Sequence, residues 1–171
     1  MANTTSDKTQ AMINFLLECP QIQDSPLYFN FINADDDSTQ FITSANDVAG
    51  RRTYIDGSVM KTYTFNIIRF VSIARRAIVQ TGEETDTMYG DENIEEFMDT
   101  QNFVDWLTTK NEAKEYPDFG DCCVIEEMRA LTESFTLDSI DMETNPPLAQ
   151  YSLSIEVRYL DTSKVIWNKT N

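Results

Sequence analysis

The sequence predicts an α+β fold: a mostly antiparallel sheet with helices packed on one face. Three observations predict it. Apolar residues recur at helical spacing near the start of the chain and again in its middle. Two segments, 59–71 and 151–159, place apolar residues at strand spacing. The elements follow in the order helix, strands, long strand, helices, strands, which is the order of a sheet covered by segregated helices.

A chain of 171 residues is the size of one domain. The hydrophobic fraction of 41%, with ten Phe, seven Tyr and two Trp, is enough apolar material for a core. We expect residues 1–6 and 161–171 to be polar tails, with Val165, Ile166 and Trp167 anchoring the second.

A first helix is expected to begin at Ser6 or Asp7, both suitable caps, with Met12, Phe15, Leu16 and Cys19 on one stripe and Pro20 ending it. Residues 27–32 and 41–42 read as two short strands joined by the acidic turn 33–37. Residues 46–57 read as irregular, with Asp56-Gly57 as a turn signal. In the strand 59–71, Tyr63, Phe65, Ile67 and Val71 share a face. Ile68 and Phe70 on the other face predict that its far end is buried on both sides. Residues 73–80 read as a short helix or a continuation of that strand, and 81–90 as a polar loop. Asp91 can cap a helix bearing Ile94, Phe97 and Met98. A segment from 100 to 113 groups Phe103, Val104 and Leu107 beside Trp106, as one bent helix or a helix pair. Residues 121–137 read as strand-like, 138–147 as an acidic loop. From 151 to 159, Tyr151, Leu153, Ile155, Val157 and Tyr159 alternate with polar residues, one buried and one wet face.

The chemistry is bounded by what the chain lacks. It has no His, which removes Ser-His-Asp and Cys-His catalysis and His-ligated zinc. Neither a GxxxxGK[ST] nor a GxGxxG loop occurs. Asp35-Asp36-Asp37 fails the EF-hand pattern, with Gln40 at position six and Asn46 at position twelve. Glu95-Glu96 and Glu126-Glu127 are adjacent acids that project in different directions, so neither pair makes a glycosidase couple. Cys19, Cys122 and Cys123 are too few and too badly spaced for a disulfide framework and read as buried free thiols. No signal peptide or membrane span is visible. We therefore expect no enzyme activity, no cofactor and no membrane partner.

The net charge is −16, which disfavours a phosphate-backbone binder. Nine acids and no base lie between Arg76 and Lys110, and five acids and no base between Arg129 and Arg158. From these blocks Glu83, Glu84, Asp86, Asp91, Glu92, Asp138, Asp141 and Glu143 are candidates for an acidic bore or rim facing DNA. A generic solubility device is the plainer account. The adjacent pairs Arg51-Arg52 and Arg75-Arg76 are solvated charges or a subunit or partner interface.

Three segments, Tyr54-Ile55-Asp56-Gly57-Ser58 with the strand up to Phe70, Phe103-Val104-Asp105-Trp106-Leu107, and the return strand from Ala149 to Tyr159, are distinctive in their order and spacing. Together they resemble the phage tail-terminator or minor capsid family, whose members complete tails and join heads to tails. The order of segments matches over roughly residues 7–160. The departures are a long polar N-terminus, the tail after Tyr159 and the acidic insert at 81–91. The resemblance implies a tail-terminator-like fold and a homo-oligomeric ring, expected as a hexamer, located at the tail–neck junction of the virion after assembly in the host cytoplasm. Its partners would be the tail tube protein and the head-side connector or stopper protein, with double-stranded DNA passing through without specific binding. Six copies at −16 each carry −96 around such a ring. Edge strands such as 27–32 could pair between subunits. The alternatives are a neighbouring head-completion or stopper protein, a non-viral acidic binding module such as a DNA-mimic inhibitor, and a hydrolase using carboxylates and a metal.

Overall fold

The computed structural model describes residues 5–23, 27–29, 40–72, 91–143 and 148–165. The elements are α1 (Thr5–Leu16), α2 (Pro20–Gln23), β1 (Leu27–Phe29), β2 (Gln40–Thr53), β3 (Val59–Ser72), α3 (Asp91–Glu112), β4 (Cys123–Ala130), β5 (Thr136–Asp141) and β6 (Leu148–Asp161). The six strands form one sheet in the order β1-β2-β3-β6-β4, with β5 also on β6. Every pairing is antiparallel except β1 with β2. The fold is thus α+β, as expected.

The centre of the sheet is the pair β3–β6, in continuous register from Val59 opposite Asp161 to Ser72 opposite Leu148. One face of each strand is apolar. Tyr63, Phe65, Ile67 and Val71 of β3 are buried with Leu153, Ile155, Val157 and Tyr159 of β6. Helix α1 covers them with Met12, Phe15 and Leu16, and α3 with Phe103, Val104 and Leu107. Helical spacing aligns these residues on one stripe of each helix. Phe15 meets Trp106 at 5.1 Å between ring centroids, which locks α1 to α3. Lys110 lies 2.6 Å from Glu115 and 3.3 Å from Glu18, and its ammonium is held protonated to higher pH chiefly by Glu115.

Several expectations are corrected. Helix α1 stops at Leu16, and Pro20 opens the next helix, where its fixed φ and missing N–H do no harm. Strands β1 and β2 are parallel, so they are not a hairpin; the acidic turn 33–37 lies outside the described residues. The segment 46–57 is not irregular. Strand β2 runs through it to Thr53, interrupted by a register shift between Val48 and Arg52. Its weakly β-prone residues are held in place by the long partner β3, because strand formation follows context more than propensity. Ile68 and Phe70 are only half-buried, so the far end of β3 is not covered on both faces. The helical segments before and after residue 100 form one helix, α3. The region 121–137 is two strands, broken at 131–135, and the expected acidic loop begins as strand β5. Asp161 belongs to β6 and is buried rather than starting a tail. Residues 73–90, expected as a short helix or strand continuation and then a polar loop, lie outside the described residues.

The β2–β3 hairpin turns at Tyr54–Ser58. The Gly57 N–H donates to the Tyr54 carbonyl at 3.0 Å, and the Tyr54 N–H donates to the Ser58 carbonyl at 2.8 Å. Asp56 accepts from the Ser58 amide at 3.0 Å and its hydroxyl at 2.6 Å. Both bonds favour the carboxylate, and the Ser58 hydroxyl foremost holds the Asp56 pKa below its ordinary value. Gly57 has φ +88°, and a Cβ there would stand 2.8 Å from the Lys164 carbonyl oxygen. Gly57→Ala should therefore destabilise the chain by about 1–2 kcal/mol through the backbone conformation alone. Chemical denaturation of the two chains side by side checks this, and equal midpoints would refute it.

Candidate functional site

Three surfaces stand out: a hairpin tip, an acidic edge strand and a groove beside α3. Each is set by the local folding of a short segment.

The hairpin tip projects Ile55, which is fully exposed, beside the partly exposed Tyr54. Its turn is tied by the four hydrogen bonds above, so Ile55 is presented in one position. Arg52 is exposed, with its guanidinium 6.0 Å from the centre of the Tyr54 ring. Lys164 is exposed on the segment that packs against Gly57. Arg51 lies on the irregular part of β2, and its side chain is outside the described set. The sequence left Arg51 and Arg52 open between solvated charges and an interface, and it marked Ile55 only as part of the turn segment, because its exposure leaves no pattern.

Strand β5 carries the acidic candidates Asp138 and Asp141, and Glu143 follows. All six of its residues are exposed. Leu137 and Ile140 stand opposite Tyr151 and Ala149, on the helix side, while Asp141 stands opposite Leu148 on the other face. Asp138 falls where the register shifts, between Leu137 and Ser139. The Glu143 amide donates to Asp141 at 2.9 Å, which draws the chain round behind the strand. The structure thus gathers Asp138, Asp141 and Glu143 on one exposed segment. Asp91 and Glu92 open helix α3, their side chains outside the described set. Glu83, Glu84, Asp86, Arg75 and Arg76 lie outside the described residues altogether.

The groove, about 460 Å³, lies between α3 and β4 with the turn after it. Val104, Leu107, Met128 and Leu131 supply its apolar lining, Asp105 and Glu133 its acids. Leu131 is 50% exposed. Beside the groove the outer edge of β4 is closed by side chains. Asn111 accepts from the Met128 amide at 2.8 Å, and the Tyr116 hydroxyl donates to the Glu126 carbonyl at 3.3 Å. Such capping protects an edge from strand addition. A second groove, about 530 Å³, lies between α1 and residues 116–118 and is bordered mostly by polar groups, including Asp7, Glu18 and Asp118.

The other face of the sheet carries a charge ladder. Arg158 pairs with Glu127 and Arg129 with Glu156, each at 3.0 Å. These arginines are therefore engaged by acids of the neighbouring strands. The buried polar groups serve packing: the Lys8 ammonium donates to the Tyr159 hydroxyl at 2.5 Å, and the Thr9 and Tyr63 hydroxyls share a bond of 2.8 Å. The three cysteines are free thiols, Cys19 buried and the other two half-buried. Burial pushes the Cys19 thiol up to about 11, where it stays protonated and unreactive near neutral pH.

Among the described residues no cluster of three or more Cys, Asp or Glu side chains is arranged to hold a metal ion. No helix among them is long and apolar enough to cross a membrane. In comparison with known proteins, no family model matches the chain and no curated protein matches it. The arrangement offers surfaces for binding: an apolar projection beside positive charge, an acidic strand, and a groove of mixed lining in which Leu131 stays half open to water.

Proposed function

We propose that the chain is a structural virion protein, a tail terminator whose copies close into a ring on the end of the tail tube. The ring would join the tube to the head-side connector and let double-stranded DNA through a bore of like charge. The observation that carries the reading is the meeting of the three segments of resemblance in one core. Tyr63, Phe65 and Ile67 from the first, Phe103, Val104 and Leu107 from the second, and Leu153, Ile155, Val157 and Tyr159 from the third pack together. The segments that carry the resemblance are thus the ones that build the centre of the fold. The acids of β5 support it further, because an exposed strand free of positive charge repels a DNA backbone.

A closed ring needs two different faces on each subunit, one complementary to the other. The hairpin tip and the groove beside α3 differ in shape and in charge, as such faces must. In native mass spectrometry and sedimentation velocity the full chain should form a hexamer of about 118 kDa, six times the 19.6 kDa subunit. Added to growing tail tubes, it should bind their ends and stop elongation. A chain that stays monomeric and ignores tube ends would rule this out, and tight binding to a basic DNA-binding protein instead would favour an acidic mimic.

A further inference from the structure

The geometry points to a specific contact between copies of this chain: the hairpin tip of one subunit seats Ile55 in the groove between α3 and β4 of the next. The inference rests on the ring reading and deepens it by naming the two faces. Four observations carry it.

The first is the tip itself. Ile55 is fully exposed on a turn that hydrogen bonds and the Gly57–Lys164 approach hold in shape. An apolar side chain presented this way loses little conformational freedom on docking. The second is the groove. Its apolar lining includes Leu131, half of whose surface is still open to water, and its volume of about 460 Å³ accommodates an isoleucine with part of a neighbouring side chain. The third is the closure of the β4 edge. With the Met128 amide and the Glu126 carbonyl already bonded to Asn111 and Tyr116, the groove is shaped for an inserted side chain rather than for an added strand.

The fourth is charge. In a chain of −16, the tip carries exposed Arg52 and Lys164 against the single ionised carboxylate of Asp56, a local excess of positive charge. The groove is bordered by Asp105 and Glu133, while its Arg129 is engaged by Glu156. Opposite signs meet when tip enters groove, and they steer the approach of two otherwise repelling subunits. The second groove, between α1 and residues 116–118, has a similar mix of polar and apolar lining, but it has no counterpart of Leu131, an apolar side chain half open to water that Ile55 could cover. Tip and groove lie at different places along the sheet. Thr53 and Val59 pair at the Asp161 end of β6, while Ala130 at the groove stands opposite Ile155. A tip seated in the next subunit's groove leaves one tip and one groove free for further copies, so the contact can repeat head-to-tail around a ring.

The test uses full-length chains with Ile55→Asp or Leu131→Glu, both at exposed positions, with near-ultraviolet circular dichroism to check that each folds. Burying an isoleucine-sized side chain corresponds to roughly a 10- to 100-fold change in the concentration needed for assembly. Each variant alone should require that much more protein to form rings. Mixed together, they should form one-to-one dimers, because the Leu131→Glu chain keeps its tip and the Ile55→Asp chain keeps its groove. A pair Arg52→Glu and Glu133→Arg should likewise fail singly and recover in part when combined in one chain. Wild-type rings accompanied by unchanged rings of either variant, or by a mixture that stays monomeric, overturn this contact while leaving the ring reading in place. A wild-type chain that never assembles overturns both.

Discussion

Phe119→Ala is expected to lower stability by about 3–5 kcal/mol. Phe119 belongs to no helix or strand, yet it is 2% exposed. Its ring stands edge-on to Tyr63 at 5.3 Å and to Tyr159 at 5.7 Å, one from each central strand. Removing it opens a cavity against both tyrosines, and it also forfeits two aromatic contacts worth about 0.5–1.5 kcal/mol each. The two tyrosine hydroxyls are held by Thr9 and Lys8 of α1, so the loss would loosen the seat of the first helix as well. Equilibrium unfolding in urea should show a lower midpoint with an unchanged slope. A shift below about 1 kcal/mol would mean that the loop carrying Phe119 collapses to fill the space.

The second large effect is a dependence on acid. Asp161 lies 2.7 Å from the Lys61 ammonium and accepts the Ser163 amide at 2.9 Å. Burial is the largest single influence and pushes its pKa up, but the Lys61 and Ser163 hydrogen bonds together outweigh it and bring the carboxyl from 3.8 to about 2. The folded chain therefore holds this proton more weakly than the unfolded chain does. The pair contributes fully above about pH 4 and its contribution fades as pH falls towards about 2, a stabilisation of about 2 kcal/mol near neutral pH. Asp161→Asn should show that deficit near neutral pH and almost none at the acid end. A deficit independent of pH would assign the effect to packing rather than to the charge.

How much of this was legible in the sequence depends on whether the pattern was local. The strands 59–71 and 151–159 carry their burial in alternation, and the structure buries the residues so marked except Tyr151, which is half-buried near the end of β6. Phe103, Val104 and Leu107 mark the face of α3 in the same way. The larger part of strand β5 was illegible because Asp138-Ser139-Ile140-Asp141 has the composition of an acidic loop; pairing with β6 makes it a strand, and that partner is distant information. The same holds for β2, whose residues 46–53 are recruited by β3. Phe119 looks like one aromatic residue in a turn between Pro117 and Gly120. The acidic candidates were chosen by charge alone. The structure places Asp138, Asp141 and Glu143 together because they are close in sequence, whereas the tip and groove needed coordinates, since exposure of Ile55 and closure of the β4 edge leave no periodic trace. The Asn111 that caps Met128 reads in sequence as one more polar residue at a helix end.

The pairing of β3 with β6 also governs when the molecule can form. Val59–Ser72 is made early, but its partner, residues 148–161, must be synthesised before the centre of the sheet exists. At ordinary rates of translation the interval is on the order of ten seconds. Throughout it, β3 has only β2 beside it, and the apolar face bearing Tyr63, Phe65 and Ile67 lacks the strand that completes it. Helix α1 waits equally long, because the hydroxyl that receives Lys8 belongs to Tyr159. A chain halted between the two strands would carry that face uncovered, the kind of surface that sticks to its neighbours.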